Sequence, residues 1–298
     1  DPSGRFAYVA NTNSDNVLAY TLNATTGALT SVGTVATGTG PRSVAVDPLG
    51  RFAYVANLLS NNVSAYTINT TTGALTAVTG SPFTAGTRPT SVAVDPSGRF
   101  AYVTNEFSHN VSAYTLDAAT GVLTAMAGSP FTAGTNPASV TVDPSGKFAY
   151  VANGGSDNVS AYTINAMTGA LSAVLGSPFT AGTGPTSVTV DPLGRFAYVA
   201  NAGPNNVSAY TINTTTGVLT SVGLAVAAGT GPSSVAVDPS GRFAYVANEF
   251  SNNVSAYTID AATGVLTSVG LAMGAGTSPN SVTVDPSGRF AYVANKFS

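Results

Sequence analysis

The chain has no cysteine and no tryptophan, three methionines and one histidine, and only 8% of its 298 residues are charged. Each scarcity excludes something. Without cysteine there are no disulfides and no thiolate metal sites, and the compartment stays open, because oxidising and reducing settings both tolerate the absence. Ten Lys and Arg against thirteen Asp and Glu give a net charge of -3, so there is no basic stripe of the kind a nucleic-acid binder needs. No run approaches the ~18 apolar residues of a membrane span. No phosphate loop, Ser-His-Asp pattern or His-rich metal spacing is present; neither a cofactor nor a metal is expected. Charged residues make up about 25% of an ordinary globular chain. Here Ser, Thr, Asn and Gly must keep the surface wet instead.

What is present is a repeat. Asp-Pro-Ser-Gly-Arg-Phe-Ala-Tyr-Val-Ala-Asn opens the chain at Asp1 and returns, nearly unchanged, at Asp47, Asp95, Asp143, Asp191, Asp238 and Asp285. The intervals are 46, 48, 48, 48, 47 and 47 residues. A fixed period of this size marks stacked supersecondary units that share one continuous core. Residues 1–298 are therefore expected to form a single domain of about six repeats plus the start of a seventh. The chain begins without methionine and stops inside a repeat, which reads as a piece of a longer protein.

Within the unit from Pro232 to Gly276, Ser234 to Val237 is a β-branched run, and Asp238-Pro-Ser-Gly241 has type I turn residues. Phe243 to Ala247 and Val254 to Ile259 follow, then a second turn at Asp260 to Gly264, then Val265 to Val269. These predict four short strands, A to D, joined by hairpins. Gly or Pro interrupts every ~10 residues, which excludes a sustained helix. Strands B and C are apolar on successive residues, as in sheets buried on both faces. Four-stranded antiparallel sheets stacked face to face around an axis satisfy this and form an all-β propeller. Strand bookkeeping favours seven blades with incomplete terminal blades; six is the alternative.

Tyr102-Val-Thr-Asn105 spells the motif that names the YVTN β-propeller repeat family, and Tyr8-Val-Ala-Asn11 and its other copies differ at one position. With the Asn-Val-Ser-Ala-Tyr-Thr strand and the Thr120-Gly121-x-Leu123 turn, the chain resembles the seven-bladed lactonase-like propellers. That group is similar to bacterial 6-phosphogluconolactonase. The resemblance implies the fold over the whole chain. It also implies a lactone hydrolase as one function, and a secreted, cell-surface or envelope location.

Hairpin alternation puts the A–B and C–D turns at one end, the bottom, and the B–C loops and the connectors into the next strand A at the other, the top. Seven bases sit in A–B turns: Arg5, Arg51, Arg99, Lys147, Arg195, Arg242 and Arg289. Each is expected to face the Asp that opens its turn. The other bases (Arg42, Arg88 and Lys296), the acids Asp15, Glu106, Asp157 and Glu249, and His109 all fall in top loops, which vary between repeats. Arg88, Glu106 and His109 lie in loops of one unit. They are the residues that could supply a cation, a carboxylate and a proton carrier for lactone hydrolysis on one patch. His109 also occupies a slot held elsewhere by Asp15, Asn61, Asp157, Asn205 and Asn252, which explains it without chemistry. Arg42, Leu58, Leu59, Phe107, Glu249 and Phe250 are candidates for contacting a protein, a glycan or a small sugar lactone, because exposed apolar loop residues often mark interaction sites. Two readings follow: a binding or surface-display module working through its top loops, or a lactone hydrolase of the 6-phosphogluconolactonase type.

Overall fold

A computed structural model describes residues 1–297. They divide into two compact units, Asp1–Val142 with Ile164–Leu171, and Asp143–Thr163 with Ser172 onward.

The first unit opens with a three-stranded sheet, Phe6–Asn11, Asn16–Leu22 and Leu29–Ala36. Complete blades follow. In the third repeat, strands A (Pro89–Val94), B (Phe100–Asn105), C (Asn110–Leu116) and D (Leu123–Ala125) pair antiparallel in chain order. Strand D differs from expectation. Its first piece pairs one end of strand C, and a second piece, Phe131–Thr132, pairs the other end. Gly128-Ser-Pro130 interrupts it, and the Ser129 hydroxyl accepts the Ala113 N–H at 2.9 Å in the gap. In the first sheet, which has no Gly-Ser-Pro, Leu29–Ala36 runs through with one shift of register.

The second unit repeats the plan. Pro185–Val190, Phe196–Asn201, Asn206–Ile212 and Leu219–Ser221 form one blade, and Pro232–Val237, Phe243–Asn248, Asn253–Ile259 and Leu266–Ser268 the next. Thr277–Val284 and Ala291–Phe297 pair at the end.

Strand B of the second and third repeats is buried at every position. That is the consequence of apolar residues on both faces of a sheet sandwiched between sheets. Strands A stand side by side, and each satisfies the next through a serine. Val92 N–H donates to Ser43 Oγ at 3.3 Å, Val140 to Ser91, Val235 to Ser187 and Val282 to Ser234. Bare strand edges invite association, and this hydroxyl row occupies them. Sheets stacked face to face in this way are propeller blades.

A second contact ties strand B to the repeat that follows. Phe100 and Tyr102 of strand B reach under the C–D turn of the following repeat. The Tyr102 hydroxyl donates to the Gly169 carbonyl at 2.8 Å. Tyr8 does the same to Gly73, Tyr54 to Gly121, Tyr150 to Gly217 and Tyr198 to Gly264. The turn glycine is held twice over. Gly169 has φ +74, and a Cβ there would stand 2.5 Å from the Phe100 ring and from the Met126 methyl.

The bases of the A–B turns serve the same joint. They do not chiefly pair with the opening Asp, as the sequence suggests. Asp95 is buried; its Oδ1 accepts the N–H groups of Arg99 and Phe100 at 2.8 and 2.7 Å, and its Oδ2 takes the Ser97 hydroxyl. Where Leu49 and Leu193 replace that serine, the Arg51 and Arg195 Nε atoms come within 3.5 Å of the Asp47 and Asp191 Oδ2 atoms without a side-chain hydrogen bond, while the backbone N–H of each donates to Oδ1. The guanidinium groups instead cross to the next repeat: Arg5 to the Thr70 carbonyl, Arg51 to Ala118, Arg99 to Ala166 and Met167, and Arg195 to Ala261. Each also lies over the Phe that follows it, as Arg99 does over Phe100 at 4.9 Å. A carbonyl-seeking, ring-stacking cation is a task for Arg rather than Lys.

Two expectations follow. Gly169→Ala combines a left-handed cost with overpacking and should destabilise by about 2–4 kcal/mol. Gly270→Ala, at φ +62 with nothing within 4 Å of the new Cβ, should lose only about 1 kcal/mol. Equal losses in denaturant melts would show that the Phe100 contact contributes nothing. The second concerns alkali. Burial pushes the Tyr54, Tyr102, Tyr150 and Tyr198 phenols well up, and Tyr8 to about 12. A folded-state pKa above the unfolded value of about 10 gives stability that is complete below pH ~10 and falls as pH rises through the folded value. Tyrosinate absorbance and loss of β-sheet circular dichroism should therefore rise together above pH ~10. Ionisation of these phenols at pH 10 with the fold intact would contradict the burial argument.

Candidate functional site

The top end is built on a frame of asparagines. The last residue of strand B (Asn57, Asn105, Asn201 and Asn248 among them) is fully buried. Its amide donates to the Asn that opens strand C and to the Ser two residues on: Asn105 to Asn110 at 2.8 Å and to Ser112 at 2.9 Å. In the third and fifth repeats its oxygen accepts from the connector, Gly86 N–H to Asn105 at 3.1 Å and Gly182 N–H to Asn201 at 3.2 Å, whereas the Asn57 and Asn248 oxygens are buried without a hydrogen bond. The recurrent Asn-Val-Ser is thus the second half of a side-chain ladder.

A second clamp closes each connector. The residue before the strand C Asn is left-handed in six repeats: Asp15, Asn61, His109, Asp157, Asn205 and Asn252, with φ between 51° and 58°. Its carbonyl accepts the N–H that begins the connector; its side chain accepts the N–H just before the strand A proline. For Asn61 the donors are Ala85 at 3.1 Å and Arg88 at 2.9 Å. For His109 they are Ala133 at 3.0 Å and Asn136, which reaches Nδ1 at 3.1 Å. For Asp157 the side-chain donor is Gly184 at 2.8 Å. Asn and Asp suit this slot because they tolerate left-handed backbone and carry a short acceptor.

Of the three residues proposed for catalysis, the structure joins two. Arg88 Nε donates to Glu106 Oε2 at 3.0 Å, and the guanidinium lies 4.4 Å from the Phe107 ring centre. Glu106 N–H in turn donates to the Arg88 carbonyl at 2.8 Å. No other hydrogen bond of the Arg88 terminal nitrogens occurs among the described residues. His109 is turned to its connector instead. Arg42 is exposed on strand A of the second repeat, without an ion-pair partner among the described residues. Leu58 is half-buried; Leu59 and Phe107 are 58% and 54% exposed, and Leu59 covers Gly40. In the second unit Phe250 is 70% exposed over Gly231, and Glu249 pairs with Lys296 at 2.5 Å. That last pair, and the hold of Asn61 on Arg88, were missed from sequence. The signal for the second was there: Arg88, at φ +57, stands where sister repeats have Gly40, Gly184 and Gly231, and also Asn136 and Ser278, all left-handed.

A cavity of about 130 Å³ in the first unit, lined by Val17, Ala19, Val35 and Leu75 among others, has no ionisable group in its wall. The Arg88–Glu106 and Lys296–Glu249 pairs and the His109 imidazole lie at the top end instead. The sequence model of the lactonase family, described as a seven-bladed β-propeller, matches residues 1–92, 79–231 and 224–298. The chain belongs to that family. Solved structures agree in fold with this lactonase-family propeller. A candidate 6-phosphogluconolactonase of Bacteroides uniformis superposes with TM-score 0.84 at 21% identity, over 98% of this chain and 86% of the other. The periplasmic gluconolactonase of Pseudomonas aeruginosa gives 0.82 at 20%, over 99% and 86%. Hydrazine synthase of Kuenenia stuttgartiensis gives 0.76 at 20%, over 99% and 91%, so one architecture serves unlike names. No curated protein matches by sequence.

If Arg88 is kept for function, its backbone strain should outweigh little when removed. Arg88→Gly relieves about 1 kcal/mol of left-handed cost and gives up a half-exposed ion pair of about 0–1 kcal/mol and a stacking contact of about 0.5–1 kcal/mol. The expected change in unfolding free energy is within about 1 kcal/mol. A loss above ~2 kcal/mol in urea melts would make Arg88 a structural residue.

Proposed function

We propose that this lactonase-family propeller opens the ring of a sugar lactone at the top of its third repeat. The observation that carries the reading is the Arg88–Glu106 pair, a cation and a carboxylate 3.0 Å apart on a left-handed residue. Family membership supports the reaction class, and the gluconolactonase-type names of the structural neighbours suggest the substrate class.

The pair has the parts that ester hydrolysis needs. Water attacks the lactone carbonyl carbon, the carbonyl oxygen becomes an oxyanion, and the ring C–O bond then breaks, leaving a carboxylic acid and a hydroxyl on one open chain. Glu106 has an oxygen, Oε1, outside the Arg88 bond, and takes the proton of the attacking water as general base. The terminal N–H groups of Arg88 stabilise the oxyanion. Proton return to the departing alkoxide completes the balance. In this scheme His109 is not the base, since its Nδ1 already accepts the Asn136 N–H. Exposed Leu59, Phe107 and Phe250 favour the second reading, a module that binds a protein or glycan without chemistry.

The assay follows the opening of a gluconolactone above its spontaneous hydrolysis. Glu106→Gln should remove about 10²-fold or more of the enzymatic rate, and Arg88→Gly a comparable share, while His109→Asn retains it. A parent chain no faster than background, or a fully active Glu106→Gln, overturns the catalytic reading and leaves the binding module.

A further inference from the structure

His109 is the one connector clamp among the described residues whose acceptor atom becomes a donor when the side chain is protonated. In the five sister repeats the acceptor is an Asn amide oxygen or an Asp carboxylate: Asp15 for Gly40, Asn61 for Arg88, Asp157 for Gly184, Asn205 for Gly231 and Asn252 for Ser278. Only the third repeat uses an imidazole nitrogen, Nδ1, for Asn136. A neutral imidazole accepts at one nitrogen and donates at the other, so this bond requires the proton on Nε2. A protonated imidazole is a donor at both nitrogens and sets two N–H groups against each other.

We propose that His109 makes the connector of residues 133–136 a pH-sensitive joint, closed while the imidazole is neutral and released when it is protonated, as no other connector clamp among the described residues is. The surroundings leave His109 as the titrating group. The connector and the strand it enters, Pro137–Val142, contain no titratable side chain. On the loop and strand of His109 itself, Glu106 is engaged by Arg88, and the Tyr114 hydroxyl donates to the Thr84 carbonyl at 2.6 Å. The next charged residue of a top loop along the chain, Asp157, accepts the Gly184 N–H, and Asp117, Asp143 and Lys147, between it and His109, lie in the bottom turns. The carbonyl of His109 still holds Ala133 when the ring is charged, so release is local to the end of the connector at Asn136 and the strand A proline. Glu106 and Phe107 lie on the same four-residue loop as His109, so loosening it loosens the patch that Arg88 organises. The joint exists whether or not that patch hydrolyses anything.

Nuclear magnetic resonance of the intact chain tests this directly, and His109 is the only histidine, so its ring signals need no assignment. At pH 8 the ring nitrogens should report the Nε2–H tautomer. Between pH 8 and pH 5 the protection factor of the Asn136 amide should fall about tenfold, the worth of one lost hydrogen bond. The Gly40 and Arg88 amides, on Asp15 and Asn61, should keep theirs. His109→Asn carries the residue of the sister slots and should hold Asn136 equally at both pH values. An Nδ1–H tautomer at pH 8, unchanged Asn136 protection on acidification, or the same fall in His109→Asn would each overturn the proposal.

Discussion

Everything else in this molecule depends on the joint between strand B of one repeat and the C–D turn of the next. A phenylalanine and a tyrosine two residues apart reach forward, and a glycine receives both, the ring against the place a Cβ would fill and the hydroxyl on its carbonyl. A repeat cannot bury its own phenylalanine. It buries the one behind it and lends its own to the one ahead, so stability propagates along the chain from neighbour to neighbour. Gly169 in the turn 164–171 thus packs with Phe100 and Tyr102 of the repeat before it.

The joint also dictates where variation is possible. At the bottom end the opening Asp is engaged within its own turn, while Arg5, Arg51, Arg99 and Arg195, the Phe after each and the glycine of the next C–D turn are engaged across two repeats. At the top end the buried Asn and the left-handed clamp hold the backbone, while the residues just after strand B and at the end of the connector are free to differ. A rigid frame with variable loop tips is the usual placement of binding and catalytic groups. Here the frame is held because the amide nitrogen of each buried asparagine is paired within its own repeat, as Asn57 is with Asn62 and Ser64 and Asn248 with Asn253 and Ser255.

Strand order, turn positions and the two ends of the blade were legible because turn residues and apolar runs are local signals. So was the family resemblance, carried by Tyr102 to Asn105 and its copies. The misreadings were all matters of partner choice. Arg99 was expected to face Asp95, four residues away, yet its guanidinium reaches carbonyls 67 and 68 residues on. Nothing in the local pattern says that Ser97 has already taken the Asp95 oxygen. Strand D was read as one short run, Val265 to Val269; its second piece was not foreseen, and the bridging of the gap by Ser129 in the third repeat depends on a strand 16 residues back. For His109 the slot comparison did expose the bland explanation, and the geometry sharpens it: the residue is a clamp, and its partner is a backbone amide that no sequence pattern marks.

The third and sixth repeats together decide what is unusual about Arg88. Both carry Glu-Phe directly after strand B, and both glutamates are partly buried beside a fully buried asparagine. Each therefore gains from a cation. For Glu249 that cation is Lys296, and the residue in the Arg88 slot remains Gly231, left-handed at no cost. For Glu106 the cation is Arg88 itself, set into the left-handed slot where a side chain costs about 1 kcal/mol or more. Charge compensation alone needs no such arrangement, as the sixth repeat demonstrates. The slot also takes Asn136 and Ser278 left-handed, so the backbone conformation alone does not single out Arg88; its side chain does. What the strained slot adds is a guanidinium fixed between carboxylate and ring, with its terminal N–H groups unengaged among the described residues. That asymmetry, rather than the presence of a histidine, is what distinguishes the third repeat from its copies.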